Sequence, residues 1–139
     1  MAGNETLSMV LFSGTDDKLT AAAVLAAGAA MMGRTVDIFL QYWALDAFRA
    51  DRIRKDHGAV AEAGYEGASL MRELAEQGGT QHWSDTLRQA KELGELHVHA
   101  CALSMDLFHI TMSDLDPLVE DVEGVAAFML EAGDALVFV

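Results

Sequence analysis

Cys101 is the single cysteine of a 139-residue chain, and its neighbours read Leu96-His97-Val98-His99-Ala100-Cys101-Ala102-Leu103-Ser104-Met105-Asp106-Leu107. Leu96 to Ala100 has the composition of a short buried strand, and Leu103 begins a helical pattern. A thiol at that junction would face the amides of the first helical turn, which favour the thiolate, the nucleophilic form of cysteine. In open α/β sheets ligands also gather outside the carboxyl ends of the strands. Against this stands the plain alternative of a buried structural thiol, because free cysteine packs as a small hydrophobe.

Other residues bear on the same edge. Ser104 gives a C-x-x-S spacing with a hydroxyl one helical turn from the thiol. Gly14 and Lys18 lie in the turn Ser13-Gly14-Thr15-Asp16-Asp17-Lys18, and Lys18 is positioned to lower a neighbouring thiol's pKa. That turn lacks the G-x-x-x-x-G-K spacing of a phosphate loop. Tyr42 and Trp43 are expected to end a strand and wall a pocket, or else to serve as core or interface. His97, His99 and Cys101 alternate on one strand face and are metal-ligand types. Same-face positions on a strand lie about 6.6 Å apart, however, so three in a row rarely reach one ion. The reading is therefore no metal and no cofactor. G-x-S-x-G, H-E-x-x-H and G-x-G-x-x-G motifs are absent, which removes the hydrolase, zincin and dinucleotide classes they mark.

The elements that must position these residues follow from patterning. Ser8 to Ser13 is a buried strand, and residues 16 to 32 form a small-residue helix stopped by Gly33. Thr35 to Trp43 is a second strand, which completes a βαβ unit. About fifty residues precede the next strand at Leu96, too many for a bare loop. Helices are expected at about 44 to 55, 66 to 77 and 85 to 93, the last capped by Ser84. His57-Gly58 and Gly64-Tyr65-Glu66-Gly67 read as joints between them. Residues 44 to 95 thus read as a helical insertion within one domain over 1 to 139, suited to a lid or a subunit contact. A fourth strand at Leu118 to Val122, a helix at Val125 to Ala132 and a strand at Ala135 to Val139 complete a β-α-β-(helices)-β-α-β-α-β order. That order implies a parallel sheet between helical layers.

Composition narrows the partners. Nine Lys and Arg against 22 Asp and Glu give a formal net charge of -13. Such a chain does not wrap nucleic acid or adhere to anionic lipid without a basic patch. The densest basic run, Arg49, Arg52, Arg54 and Lys55, is interrupted by Asp51 and Asp56 and reads as a solvated helix face. The chain is 52% hydrophobic, which suits a sheet covered on both faces and a buried subunit interface. The longest weakly polar stretch, Leu19 to Gly33, falls short of the roughly 20 residues that span a bilayer. One cysteine and no recognisable leader point to a reducing, cytoplasmic setting.

Five stretches resemble the DsrE/DsrF-like family of small sulfur-handling proteins, in its branch labelled peroxiredoxin-like. They are Met9 to Leu19 (MVLFSGTDDKL), Ala26 to Gly33 (AAGAAMMG), Val36 to Trp43 (VDIFLQYW), Ala100 to Leu107 (ACALSMDL) and Val122 to Leu130 (VEGVAAFML). The resemblance implies a three-layer α/β/α domain, flavodoxin-like in outline, with a five-stranded, mostly parallel sheet. It also implies a homo-oligomer, trimer or hexamer. Catalytic members carry sulfur as a cysteine persulfide between donor and acceptor proteins or small thiols, and Cys101 matches their sulfur-bearing position. Gly14, Lys18, Tyr42, Trp43, Leu103 and Ser104 would then shape the substrate pocket. His109 stands where the family is expected to hold glycine, and no second cysteine is available for an internal relay. Other relatives keep the fold without sulfur transfer, so an oligomeric ligand-binding or scaffold protein is the alternative. A thiol peroxidase fits less well, because Val98 occupies the threonine position of T-x-x-C.

Overall fold

The computed structural model describes residues 5–55, 69–70, 72–74, 76–78, 81–133 and 135–139. Its elements in chain order are β1 (Thr6–Leu11), α1 (Asp16–Met31), β2 (Thr35–Leu40), α2 (Tyr42–Ala47), α3 (Trp83–Leu93), β3 (Leu96–Cys101), α4 (Ala102–Phe108), β4 (Asp121–Glu123), α5 (Val125–Glu131) and β5 (Ala135–Phe138). All five strands are parallel, in the order β4-β3-β2-β1-β5.

The main core lies on one sheet face. Leu7, Met9 and Leu11 of β1, Val36, Ile38 and Leu40 of β2, and Leu96, Val98 and Ala100 of β3 project there. They meet Leu19, Ala22, Ala23 and Ala26 of α1 and Trp83, Leu87 and Ala90 of α3. Alanine on α1 lets its backbone lie close to the sheet, which is why this weakly amphipathic stretch makes a buried helix. The opposite face carries a smaller cluster of Val10, Phe39, Cys101 and Phe128, with Phe39 and Phe128 stacked at 4.6 Å. Phe128 comes from α5, the third layer. Gly33 ends α1 at φ 84°, where a left-handed residue closes the helix.

Several boundaries move. The second strand stops at Leu40, the last residue paired to both neighbours. Tyr42 and Trp43 therefore open α2 instead of ending β2. The cap of α3 is His82, whose Nδ1 accepts the Ser84 amide at 3.2 Å, and not Ser84 itself. Leu118 and Val119 are buried in the approach to β4, outside the ladder, and the strand begins at Asp121. Within the expected helix over 66 to 77, residues 69–70, 72–74 and 76 are helical. The joints at 57–58 and 64–67 lie outside the described residues. Of the segment 44 to 95, α3 forms part of the core layer. The stretch after α2 is tied to the chain before β4: the Ala50 amide donates to the Asp114 carbonyl, and the Asp116 amide to the Phe48 carbonyl, each at 2.9 Å. Among the described residues no helix is long and apolar enough to cross a membrane.

Candidate functional site

Three βα junctions converge at the carboxyl edge of the sheet. β1 runs through Phe12 and Gly14 into α1, β2 turns at Gln41 into α2, and β3 passes directly into α4 at Cys101. Gly14 is required by close approach: a Cβ there would stand 2.9 Å from the Trp43 carbonyl carbon and nearer still to its oxygen. Tyr42 takes a left-handed backbone conformation at φ 48°. Its amide donates to Ser104 Oγ at 3.1 Å, which couples the β2–α2 turn to the first turn of α4. Such a φ is strained for a bulky residue, so the surrounding contacts must hold it.

An aromatic cluster covers this edge. The Tyr42 ring lies 5.1 Å from Phe12 and 5.8 Å from Phe108, and Trp43 lies 5.4 Å from Phe108. Phe138 of β5 adds a fourth contact at 6.2 Å from Phe12. Trp43, Leu103, Leu107 and Phe138 are exposed. Gly14, Tyr42, Trp43 and Ser104 are thus brought together, while Phe12, Phe108 and Phe138 join them without having been singled out from sequence. The signal for Phe12 and Phe138 was an aromatic at or just past a strand end, whereas Phe108 ends the helix α4 and carried no such signal.

Cys101 is the last residue of β3 and the N-cap of α4, with φ -73° and ψ 119°. It is 1% exposed and packs with Val10, Phe39 and Phe128. Lys18 belongs to α1, which lies against the opposite face of the sheet. The nearby Thr15 and Asp17 form their own turn network, with Thr15 Oγ1 donating to Asp17 Oδ1 at 2.6 Å and the Lys18 amide to the same oxygen at 2.8 Å. His109 closes α4 in the left-handed region at φ 53°, ψ 45°. That conformation is the physical reason a glycine suits the position.

A second polar group spans the same sheet face as Cys101. His99 is buried between two neighbouring strands: its Nδ1 donates to Asp121 Oδ1 at 2.6 Å and its Nε2 to Asp37 Oδ1 at 3.3 Å. Glu123 Oε1 lies 3.5 Å from Nδ1. The Asp37 hydrogen bond, with help from Asp121 and Glu123 and against the effect of burial, pushes the His99 pKa up to about 9. Burial pushes Glu123 up; the charge on His99 opposes this, and Asp121, Glu131 and Asp37 add to it. His97 stacks beside His99 with ring centroids 6.4 Å apart, but its Nδ1 is engaged by Glu120, 3.1 Å from both carboxylate oxygens. Among the described residues, the metal-capable side chains that converge are His99, Asp121 and Glu123, not the His97, His99 and Cys101 row that strand alternation brings to mind. The sequence signal was polar Asp37 and His99 interrupting apolar strands, but their partner strand is not adjacent in sequence.

The basic run after α2 is neutralised locally, by pairs of Arg49 and Arg52 with Asp46 and of Arg54 with Asp85. It is an ion-paired surface of turns and not the solvated helix face expected, because the helix ends at Ala47 and residues 48–55 form turns with a bridge from Arg49 to Leu115.

The model of the DsrE/DsrF/DrsH-like family matches residues 3–65. The chain is 26% identical over 152 aligned residues to the uncharacterized protein YrkE of Bacillus subtilis, covering 94% of this chain and 92% of that protein. Its fold matches the protein of unknown function MTH1491 from Methanobacterium thermoautotrophicum at a TM-score of 0.57 and 12% identity, over 98% of each chain. Residues 3–65 of the chain are thus similar to the DsrE/DsrF/DrsH-like family, and the whole chain shares the fold of MTH1491.

Proposed function

We propose that this chain carries sulfane sulfur on Cys101. The observation behind the reading is the place of that thiol, the last residue of a central parallel strand and the cap of the following helix, at the edge where three βα junctions meet. The Cys101 thiolate attacks the outer sulfur of a donor persulfide, forming a new S–S bond as the donor leaves as a thiolate. An acceptor thiolate then attacks the outer sulfur of the Cys101 persulfide and releases the Cys101 thiolate. Electrons balance at each step, and no further oxidant is needed. The amides of Leu103 and Ser104, in the first turn of α4, favour negative sulfur. Gly14, Tyr42 and Trp43 shape the approach, and Lys18 contributes positive charge on the α1 side. Donor and acceptor are thiol proteins or small thiols.

The burial of Cys101 favours a second reading, an oligomeric binding or scaffold module whose thiol is structural. The exposed Phe138, Met129 and Leu130 on β5 and α5 suit assembly with further copies under either reading, as a trimer or hexamer. Access separates the two. Alkylation of native Cys101 at near-neutral pH, together with persulfide uptake lost in Cys101→Ser, supports sulfur carriage. A thiol that reacts only after denaturation supports the module.

A further inference from the structure

We propose that His99, Asp121 and Glu123 form a site for one divalent cation that accepts mixed nitrogen and carboxylate oxygen ligands, of the zinc or manganese kind. The site lies on the Cys101 face of the sheet but does not use the thiol, and it stands apart from the sulfur reading.

The donor atoms are preassembled. One atom from each residue lies within 4.8 Å of the other two. Donors around zinc at about 2.1 Å stand about 3.4 Å apart in a tetrahedral arrangement. His99 Nδ1 is 3.5 Å from Glu123 Oε1 and 2.6 Å from Asp121 Oδ1. Binding displaces the Nδ1 proton to solvent; opening the second contact by less than an ångström then makes room for the ion, and Asp121, exposed at the sheet edge, is the ligand free to move. The other two are anchored: His99 is 9% exposed in the middle strand of its group, and Glu123 pairs in register with Cys101.

Two further observations point to a cation and not to an ion-pair cluster alone. Glu123 Oε2 is sealed from solvent and has no hydrogen-bond partner. A buried carboxylate oxygen without a donor is costly, and a metal ion is a group that satisfies it. The far nitrogen of His99 is already held by Asp37 at 3.3 Å. A carboxylate on the distal ring nitrogen is the arrangement that orients a metal-binding imidazole and raises its basicity. Charge points the same way. Asp37, Asp121 and Glu123 surround one imidazole, and among the described residues none of the three pairs with a lysine or arginine. One nitrogen with carboxylate oxygens suits zinc or manganese better than a soft thiolate-seeking ion.

The test is titration of the untagged, chelator-treated chain with zinc(II) against a chromophoric competitor, and with manganese(II) by the loss of the free-ion magnetic resonance signal. One ion per chain is expected for at least one metal. Glu123→Gln, nearly the same shape, should weaken it by more than about 100-fold, and Asp37→Asn by about 10- to 100-fold. Cys101→Ser should leave it unchanged. Thermal melting of each metal-free variant shows whether it is folded, and His99→Gln serves as the second ligand variant if Glu123→Gln is not. Absence of stoichiometric binding by the native chain, binding that survives in folded Glu123→Gln, or binding lost in Cys101→Ser overturns the proposal. Sulfur carriage is read separately, by persulfide uptake, so each can fail alone.

Discussion

The backbone amide of Tyr42 donates to the hydroxyl of Ser104 across 3.1 Å, and this bond ties the strained turn after β2 to the helix that begins at Cys101. Ser104 is 1% exposed, so its removal leaves a shielded amide without an acceptor. Ser104→Ala should destabilise the chain by about 1–3 kcal/mol. Urea denaturation would show a lower midpoint with an unchanged slope. An unchanged midpoint would mean that the turn is held by the aromatic cluster alone.

At the other end of the same helix, His109 occupies the left-handed region. Glycine reaches that region without the side-chain penalty, which is about 1–2 kcal/mol for most residues. His109→Gly should be neutral or stabilising by up to about 1 kcal/mol, after the added freedom of the unfolded chain is offset. Differential scanning calorimetry reads this directly. A clear loss of stability would show that the imidazole makes contacts worth more than the strain.

Arg88 of α3 grips Asp116 with two hydrogen bonds, at 2.9 and 2.8 Å, and Asp116 also accepts the Leu118 amide at 2.9 Å. Burial works to raise the Asp116 pKa, but the Arg88 and Leu118 hydrogen bonds and the charge of Arg88 more than offset it, so the carboxyl sits below its usual range. Its stabilising contribution is therefore present above the ordinary carboxylate range and is lost as pH falls through the depressed value. Asp116→Ala should cost about 2–4 kcal/mol at neutral pH, since it leaves Arg88 and a buried amide unpaired. Arg88→Lys should lose part of this, because lysine lacks the planar fork. Chemical denaturation of both variants at pH 7 and in acid checks the magnitude and the direction.

His99 works in the opposite sense. Its folded pKa is about 9 against an ordinary 6.5. In metal-free protein the stability gained from Asp37, Asp121 and Glu123 is complete below about pH 6.5 and disappears as pH rises through about 9. Melting temperature in the presence of a chelator should fall over that window, and His99→Asn should flatten the fall. Equal slopes for the two proteins would place the titration elsewhere.

The sheet and its first βαβ unit were legible because their strands are apolar runs bounded by Gly, Asp and polar residues. The junction at Cys101 was legible for the same reason. What misled at Tyr42 and Trp43 was a run that stays apolar beyond the last ladder pair, Leu11 with Leu40. Periodicity cannot distinguish a strand's end from aromatics that begin a short helix at the sheet edge. Leu118 and Val119 misled similarly, being buried beside Asp116 without pairing. Residue preference favoured Ser84 as a cap, but the imidazole of His82 reaches the amide first. The His99 cluster draws on three strands, with Asp37 62 positions and Asp121 22 positions away. Only the sheet order brings them together, and no local pattern encodes it.

The central claim is that Cys101 accepts sulfur, and intact-protein mass spectrometry tests it most directly. Native chain and Cys101→Ser are each mixed with a low-molecular-weight persulfide, then treated with reductant. The account predicts a gain of whole sulfur atoms in the native chain, reversed by reductant and absent in the variant. An unchanged mass in the native chain, or an equal gain in Cys101→Ser, would contradict it and leave the thiol as part of the core beneath Phe128.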